Sequence, residues 1–584
     1  MKKLMLGNEA VARGAYEAGV TVASAYPGTP STEVTENIAE YDEIYSEWAP
    51  NEKVALEVAI GSAIAGARSI CTMKHVGLNV AADPLFTASY TGINGGLVIV
   101  VADDPGLHSS QNEQDTRHYA RAAKIPLLEP VDSAECTSFV KQGFEISEQF
   151  DTPVIVRLST RISHSRGIVK MEDRVDHGLQ EYEKDFQKYV MMPAMGRKRH
   201  VVVENRLIDL EDFSSTTDLN VIDDQDSEIG VISSGIAYQY AREAFPEASF
   251  LKLGFVFPFP EKLVAEFASM VDKLYIVEEL EPFFENKIKT MGLENIEIIG
   301  KDKLPLTGEL SPGLVREKMR GQQPEIVDFP EVDIPIRPPV MCPGCPHRGA
   351  FHILSKLGLT VTGDIGCYTL GALPPAEAMD TCVCMGASVS MAHGIEKAQG
   401  REMGQNTIAV IGDSTFIHSG ITGLIDIVYN KGASTVMILD NSITGMTGHQ
   451  ENPATGYTIK GEPTRQVDLV KLSEAVGIER VEVVDPFDLE EFEEVVSREV
   501  AADEPSVIIS QRPCALIDQT EYEGLMEVDE DKCVYCKQCM EIGCPAIVDQ
   551  GDEIKINKAL CVGCELCIEK CNFGALVKAG VNNG

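Results

Sequence analysis

Short apolar runs alternate with helix-like stretches along most of the 584-residue chain. The clearest example joins two unbroken apolar runs, 407–411 and 435–439, each of which is followed by polar residues. Between them, apolar residues recur at helical spacing: Ile421, Leu424, Ile425 and Val428. This pattern predicts a strand, a helix and a second strand of one parallel sheet.

The same alternation continues on both sides of this unit. Further strands are predicted at 20–25, 97–101, 154–158, 229–233, 274–277 and 507–509. We therefore predict an α/β protein of parallel sheets with flanking helices. A charge-rich stretch predicts a helical linker at 176–225. The predicted domains are 1–175, 226–335, 336–525 and 526–584.

Composition narrows the class of protein. A net charge of −40 and a pI near 4.6 argue against binding to nucleic acid or to anionic membranes. No apolar run reaches membrane-spanning length, and the N-terminal residues lack the apolar core of a signal peptide, so a cytoplasmic protein is expected. In that compartment the 16 cysteines indicate metal or redox sites rather than disulfides.

Polar residues follow both strands of the unit described first. Asp413 comes after the first strand and Asn441 after the second. The carboxyl ends of parallel strands meet at one edge of the sheet, where ligands bind. Carboxylate and amide oxygens suit Mg²⁺ that also takes phosphate oxygens. A Rossmann-like strand pair with a solvated Asp and Asn is the alternative.

Glycines near this unit suit close approach of the backbone to phosphates. They are Gly366 and Gly386, with Gly412 at the end of the first strand. A second glycine turn, at 26–31, holds Thr29 and could equally cap the next helix. The polar loop at 108–115 faces a substrate or is simply solvated.

Eight cysteines near the C-terminus have the spacing of a two-cluster ferredoxin. In that pattern, the fourth cysteine of each run binds the other cluster. This predicts one [4Fe–4S] cluster on a first cysteine group: Cys533, Cys536, Cys539 and Cys571. It predicts another on a second cysteine group: Cys544, Cys561, Cys564 and Cys567. The first run has one residue more than usual, and Asn572 stands where proline is usual. Zinc, the alternative, commonly uses paired knuckles.

Together these motifs resemble the 2-oxoacid:ferredoxin oxidoreductases, and among them the large (alpha) subunits that act on indolepyruvate. The motifs that carry the resemblance are YPGTPS (26–31), NEKVALE (51–57), MKHVGLN (73–79), SSQNEQD (109–115), CPGCPH (342–347), GDSTF (412–416), ILDNSITGMTGHQ (438–450) and the ferredoxin-like tail. The resemblance covers essentially the whole chain.

The resemblance implies a role for each domain. These would be, in order, a pyrimidine-binding domain, a transketolase-C-like domain, a diphosphate-binding domain and a ferredoxin domain. It implies that Asp413, Asn441 and the main-chain carbonyl of Ile443 hold Mg²⁺ against the diphosphate of thiamine diphosphate. Ser414 would lie in the same cofactor site. Thr29 would lie near the reacting centre.

Thiamine enzymes need a carboxylate buried against the pyrimidine ring of the cofactor, and two acids compete for that role. Related enzymes have Ala three residues after this Glu and Gly nine residues after it. Glu52 has both, as Ala55 and Gly61, whereas Glu57 keeps the second spacing alone. We therefore favour Glu52. The alternative is that both acids favour the N-terminus of a helix electrostatically.

The implied activity is oxidative decarboxylation of aryl 2-oxo acids with coenzyme A, giving aryl-acetyl-CoA and CO₂ and reducing ferredoxin. The implied partner is a small beta subunit, in paired alpha–beta units. Alternatives are the same chemistry on another 2-oxo acid such as pyruvate, a non-oxidative thiamine-dependent carboligase, and an electron-transfer scaffold.

Four further cysteines match, in order, the positions at which relatives bind a cluster beside thiamine. This third cysteine group comprises Cys342, Cys345, Cys367 and Cys514. It is a hypothetical third [4Fe–4S] site, and reduced structural thiols are the alternative, since free cysteines are commonly buried.

Overall fold

A computed structural model describes residues 1–293, 296–323, 334, 338–518, 522 and 524–579. The chain divides into two compact units, Met1–Glu331 and Val332–Gly584. Each unit has its own cores of buried apolar side chains.

The first unit is an α/β structure with two main sheets. Its described strands are β1 (Lys2–Leu6), β2 (Val22–Ala25), β3 (Tyr45–Trp48), β4 (Ser69–Lys74), β5 (Leu97–Asp103), β6 (Leu127–Leu128), β7 (Val154–Ser159), β8 (Arg166–Lys170), β9 (Val221–Asp223), β10 (Ile229–Ser233), β11 (Ser249–Lys252), β12 (Phe255–Phe257), β13 (Lys273–Val277) and β14 (Glu297–Ile299). Its described helices are α1 (Gly7–Glu17), α2 (Thr32–Ala39), α3 (Glu52–Ile64), α4 (His75–Val80), α5 (Ala82–Thr91), α6 (Thr116–Ala123), α7 (Ser133–Phe150), α8 (Thr160–His164), α9 (Phe186–Tyr189), α10 (Pro193–Ser214), α11 (Gly235–Ala244), α12 (Glu261–Ala268), α13 (Phe283–Thr290) and α14 (Pro312–Arg320).

The larger sheet has seven strands in the order β12-β6-β7-β5-β4-β2-β3, parallel except for β12. The smaller sheet has the order β14-β13-β10-β11-β9, with β9 antiparallel. Strand β12 comes from the predicted 226–335 domain yet pairs with β6, and one apolar core includes residues of both predicted domains. The two segments therefore fold against each other.

The segment predicted as a charged linker contains a 22-residue helix, α10, which is part of the first unit and packs against its other elements. Arg206 of this helix is buried and donates hydrogen bonds to the carbonyls of Asp151 and Ser89. The sequence analysis did not predict this packing, because a buried arginine and a solvated arginine look the same in a sequence.

The second unit is built around one parallel sheet. Its described strands are β15 (Thr360–Gly363), β16 (Thr381–Cys382), β17 (Thr407–Gly412), β18 (Thr435–Asp440), β19 (Arg480–Val484), β20 (Ser506–Gln511), β21 (Met526–Val528), β22 (Ile547–Asp549), β23 (Ile554–Ile556) and β24 (Leu576–Lys578). Its described α-helices are α15 (His347–Leu357), α16 (Ala387–Gln399), α17 (Arg401–Gly404), α18 (Asp413–Thr415), α19 (Ile421–Tyr429), α20 (Leu469–Ala475) and α21 (Leu489–Val500). Shorter helical turns lie at Cys367–Ala372, Phe416–Gly420 and Gln538–Ile542.

The parallel sheet has the order β16-β15-β17-β18-β20-β19. The two strands of the unit predicted first, β17 and β18, are therefore its central strands. The C-terminal segment forms two antiparallel strand pairs, β21 with β24 and β22 with β23. In its described part, the helix expected of an α+β ferredoxin domain is reduced to the 3₁₀ turn Gln538–Ile542.

No helix in the described ranges combines the length and the apolar character that a membrane crossing requires.

Candidate functional site

The register of β17 and β18 brings the predicted metal ligands together. Gly412 pairs with Leu439 in the parallel ladder, so Asp413 and Asp440 lie side by side as the two strands end. Both strands are buried throughout, which explains their unbroken apolar runs. Asn441 follows directly and is also buried.

Asp413 is a buried carboxyl group in an acidic environment. Asp413 is 2% exposed. Burial, and then the charge of Asp440, raise its pKa to about 7. Asn452 donates a hydrogen bond of 3.4 Å to its Oδ2 atom. A carboxylate with these surroundings gains from a cation, because its charge is otherwise poorly compensated.

The loop after β18 holds the other predicted ligands. Ile443 is buried, and Ser442 has a left-handed backbone with φ of 57°. The main-chain N–H of Cys514 donates to the carbonyl of Asn441 at 3.0 Å. These contacts fix the backbone around Asn441 and Ile443 at the edge of the sheet. Two oxygen-bearing side chains and a carbonyl at one edge are the donor set that Mg²⁺ takes with phosphates.

The glycines of this edge have packing reasons of their own. A Cβ atom on Gly366 would lie 2.3 Å from the ring of Tyr368, and one on Gly412 would lie 2.8 Å from the same ring. Gly386 has φ of +84°, and a Cβ atom there would meet Ser419 Oγ at 2.3 Å. Ser414 is buried in the first turn after Asp413. Contact of these residues with a cofactor stays a prediction.

Asp364 is a site residue to which the sequence analysis gave no role. Its carboxylate accepts hydrogen bonds from the N–H groups of Gly386 at 2.9 Å and Ser388 at 3.0 Å. The start of helix α16 is therefore held by Asp364, and these two N–H groups are already engaged. The signal was present in the sequence, because Asp364 follows a strand that ends in Gly, as Asp413 does.

The first unit buries the predicted pyrimidine carboxylate. Glu52 is the first residue of α3, behind the cap formed by Asn51, whose side chain accepts from Val54 N at 2.9 Å. Glu52 is 4% exposed. A Cβ atom on Gly77 would lie 2.7 Å from Glu52 Oε1, so glycine lets the α4 backbone close over the carboxyl group. This dry setting fits a carboxyl group that shares a proton with a ring nitrogen.

Glu57 has different surroundings although it is on the same helix. Its side chain is 46% exposed and forms an ion pair with Lys53 one turn away. A side chain of this kind is solvated and is not screened from water by the fold. Of the two acids, Glu52 is therefore the buried one, and its contact with a pyrimidine ring stays a prediction.

Two predicted loops meet beside the Glu52 helix. Ser109 Oγ donates to the carbonyl of Thr29 at 3.2 Å, which joins the 26–31 turn to the 108–115 loop. The Lys74 ammonium donates to the carbonyl of Ser109 at 2.9 Å. Burial lowers the pKa of Lys74 to about 8, against the charges of Asp104 and Glu52. Thr29 and Glu52 thus lie in one half-buried polar region of the first unit.

The C-terminal cysteines fall into the two predicted groups. In the first cysteine group, Cys539 is within electrostatic reach of the other three thiols. These four line one small cavity. Against the effect of burial, backbone N–H groups led by that of Ala575 lower the pKa of Cys571, and Ala575 N lies 3.2 Å from its sulfur. Such N–H groups stabilise a cluster-bound thiolate.

The four thiols of the second cysteine group line another small cavity. Burial, followed by the other three thiols of this group, raises the pKa of Cys567 to about 12. Met526 N donates to Cys561 Sγ at 3.5 Å. In the described residues, no three His, Cys, Asp or Glu side chains converge on a position for a single ion. The assignment of these thiols to a cluster rather than to zinc stays a prediction.

The third cysteine group also comes together. Cys342 lies within electrostatic reach of Cys345, Cys367 and Cys514. This group is next to the loop that holds Asn441, because a Cβ atom on Gly445 would lie 3.5 Å from Cys367 Sγ and 3.9 Å from Asn441 Nδ2.

Comparison with known proteins agrees with this geometry. The family model for the thiamine-diphosphate-binding domain of pyruvate flavodoxin/ferredoxin oxidoreductases matches residues 13–218, and that for the C-terminal binding domain of thiamine pyrophosphate enzymes matches 364–510. Indolepyruvate oxidoreductase subunit IorA of Archaeoglobus fulgidus is 40% identical over 100% of this chain and 98% of its own. The IorA subunit of Pyrococcus horikoshii is 39% identical over 99% and 97%.

The chain belongs to the IorA family of indolepyruvate oxidoreductase subunits. Because both family models describe thiamine-binding domains, the IorA family is a thiamine diphosphate family, and this chain binds that cofactor. A 2-oxoglutarate:ferredoxin oxidoreductase from Magnetococcus marinus has 17% sequence identity and a TM-score of 0.47, and the match covers 55% of this chain and 65% of that one.

The two family models cover candidate residues of different units. Glu52 and Thr29 lie in the match to the ferredoxin oxidoreductase model, whereas Asp413, Asn441 and Ile443 lie in the match to the thiamine enzyme model. The first and second cysteine groups lie beyond both matches and within the segment shared with whole IorA relatives.

Proposed function

We propose that this chain is the large subunit of an enzyme that oxidatively decarboxylates aryl 2-oxo acids, with indolepyruvate as its substrate, and transfers the acyl group to coenzyme A. The observation that supports this proposal most directly lies in the second unit. There the thiols of the third cysteine group lie beside the loop of Asn441, whose edge of the sheet holds the buried Asp413. A thiamine site placed against a cysteine group indicates decarboxylation coupled to electron transfer.

The cofactor site is assigned to residues at the carboxyl edge of the second unit's sheet. Asp413, Asn441 and the carbonyl of Ile443 would hold Mg²⁺, and Gly412 and Ser414 would contact the cofactor near the metal. Thiamine diphosphate, when bound, would supply a nucleophilic carbon for the ketone and a cationic ring as the sink for the electron pair left by departing CO₂. The burial of Asp413 keeps bulk water from competing for the metal.

Glu52 would move the proton that activates the cofactor. Its carboxyl group is buried behind Gly77, so it is less solvated than Glu57 and can share a proton with the pyrimidine ring. Thr29 would contact the substrate, since its turn is joined to the 108–115 loop through Ser109.

The cysteine groups offer sites for three [4Fe–4S] clusters, which are one-electron carriers. The third group lies beside the Asn441 loop, and the second group touches the third, because a Cβ atom on Gly344 would lie 2.6 Å from Val562 and 3.8 Å from Cys564 Cβ. The first group contains the exposed Cys536. This succession supports a path that begins at thiamine and ends at a surface where ferredoxin docks.

The partners follow from this assignment. The chain would pair with a small beta subunit of the gamma-domain type, in an assembly of paired alpha–beta units, and use coenzyme A and ferredoxin. A cytoplasmic location stays a prediction.

The proposal is tested by electron paramagnetic resonance on the anaerobically purified complex with its small subunit. Adding indolepyruvate and coenzyme A should produce the signal of reduced clusters within one turnover, in the absence of any other reductant. Protein that carries thiamine and iron but gives no signal with any 2-oxo acid would contradict the proposal. A signal with pyruvate alone would keep the chemistry and replace the substrate.

A further inference from the structure

Arg348 joins two of the cysteine-bearing segments of the second unit. It lies at the start of α15, is 6% exposed, and makes hydrogen bonds to backbone carbonyls on both sides. On one side its guanidinium donates to the carbonyls of Met341 and Cys342, the latter at 3.0 Å. On the other side it donates to those of Ile542, at 3.3 Å, and Gly543. One side chain therefore ties the Cys342 loop to the residues just before Cys544.

The charge of Arg348 has no carboxylate to balance it. Its hydrogen-bond acceptors are carbonyls, and in the described part of the chain no Asp or Glu oxygen lies within ion-pair distance of it. Four thiols, which become negative when they lose a proton, lie in its surroundings, those of Cys544, Cys345, Cys342 and Cys564. A buried cation is costly unless negative charge is near it, and cluster-bound thiolates would provide that charge.

The cavity of the second cysteine group is built partly by Arg348. The Arg348 side chain lines the same cavity as the four thiols of that group. Gly344, from the Cys342 loop, lines the same cavity, and a Cβ atom there would lie 2.6 Å from Val562. The guanidinium is thus a fixed charge at the place where the second and third groups meet.

We infer that Arg348 is a positioning residue that raises the reduction potential of the cluster held by the second cysteine group and fixes it against the third. Reduction adds one electron to that cluster and breaks no bond. A buried positive charge stabilises the reduced form over the oxidised form, and buried charges interact more strongly than solvated ones. The inference rests on the proposed function, since it requires the clusters.

The test is a redox titration of the purified complex, monitored by electron paramagnetic resonance, with iron and thiamine measured on each sample. Arg348→Gln should lower the reduction equilibrium constant of one cluster about tenfold, a shift of about 59 mV for one electron. Arg348→Lys keeps the positive charge, so the reduction equilibrium constant of that cluster should stay within about threefold of the wild-type value. We expect this although lysine has three hydrogen-bond donors and arginine has five. The other clusters should not shift in either variant.

Arg512→Gln is the matched control. This arginine also lies near Cys564, but Asp485 neutralises it and its side chain is 20% exposed. Its removal should leave every cluster potential unchanged. Unchanged potentials in Arg348→Gln with full iron would overturn the inference, and so would a tenfold shift in Arg348→Lys. Loss of this cluster from both variants would also overturn it, because lysine retains the charge. A wild-type protein without iron would instead overturn the proposed function.

Discussion

Asp413 and Asp440 lie side by side at the carboxyl edge of the second unit's sheet, and burial together with the charge of Asp440 raises the pKa of Asp413 to about 7. Asp440 is held by Gln511 Nε2 at 2.8 Å and by Ser442 N at 3.1 Å. Asp413 is left as the acid whose ionisation a metal ion would favour. The local electrostatics therefore couple metal binding to pH.

Cofactor binding should strengthen as the pH rises through the pKa of Asp413. The folded pKa lies above the ordinary value, so the folded chain holds more protons than the unfolded chain between about pH 4 and 7, and this group's contribution to stability falls with rising pH. Mg²⁺ binds the ionised form. Below pH 7 the affinity of the chain for Mg²⁺ should fall about tenfold for each unit by which the pH is lowered.

Thermal unfolding with and without Mg²⁺ and thiamine diphosphate, at pH 6 and pH 8, measures this coupling. The gain in Tm should be larger at pH 8 in the wild type. In Asp413→Asn it should be small and the same at both pH values. Equal gains in the wild type at both pH values would show that Asp413 does not titrate on metal binding.

Replacement of Glu52 should separate catalysis from folding. Glu52→Gln should retain iron and the fold, because glutamine has nearly the same shape, yet lose a factor of about 10²–10⁴ in turnover, the usual contribution of a proton-transferring side chain. Glu57→Gln is the control, since that side chain is 46% exposed on the same helix. Its activity should be close to the wild type. The reverse result would move the role to Glu57.

Pairs of cysteine substitutions should reveal which thiols share a cluster. Cys571→Ser combined with Cys533→Ser should remove about four irons, because both residues serve one cluster. Cys571→Ser combined with Cys544→Ser should remove about eight, because these serve two. Cys136→Ser, at a buried thiol outside all three groups, should remove none. Equal losses in the two double variants would contradict the crossed assignment.

The third cysteine group predicts about twelve irons per thiamine-loaded chain in place of about eight. Cys367→Ser should lower the count by about four and leave thiamine bound, since Cys367 lies beside Asn441 without occupying the metal-binding edge. Iron analysis paired with a thiamine assay measures both quantities. A wild-type value near eight that Cys367→Ser does not change would make these four residues reduced structural thiols.

The parts of the fold that depend on local pattern could be predicted from the sequence. The runs at 407–411 and 435–439 are strands within one residue of the expected ends, because buried parallel strands are continuously apolar. Cysteine spacing gave the grouping of the eight C-terminal thiols that the structure brings together.

The features that could not be predicted from the sequence depend on contacts between residues that are far apart in the chain. The bonds of Arg348 to Ile542 and Gly543 span 194 and 195 residues, and no local pattern marks them. The packing of α10 and the engagement of Gly386 by Asp364 are of the same kind. The preference for Glu52 over Glu57 came from motif spacing, and its physical reason, burial under Gly77, required coordinates.

The central claim is tested most directly by anaerobic reduction of a viologen dye by the complex of this chain and its small subunit. Indolepyruvate, phenylpyruvate, pyruvate and 2-oxoglutarate are compared, each with and without coenzyme A. We expect fast reduction with the two aryl substrates, dependent on coenzyme A, and little with the others. No reduction with any substrate, by protein that carries thiamine and iron, would contradict the account.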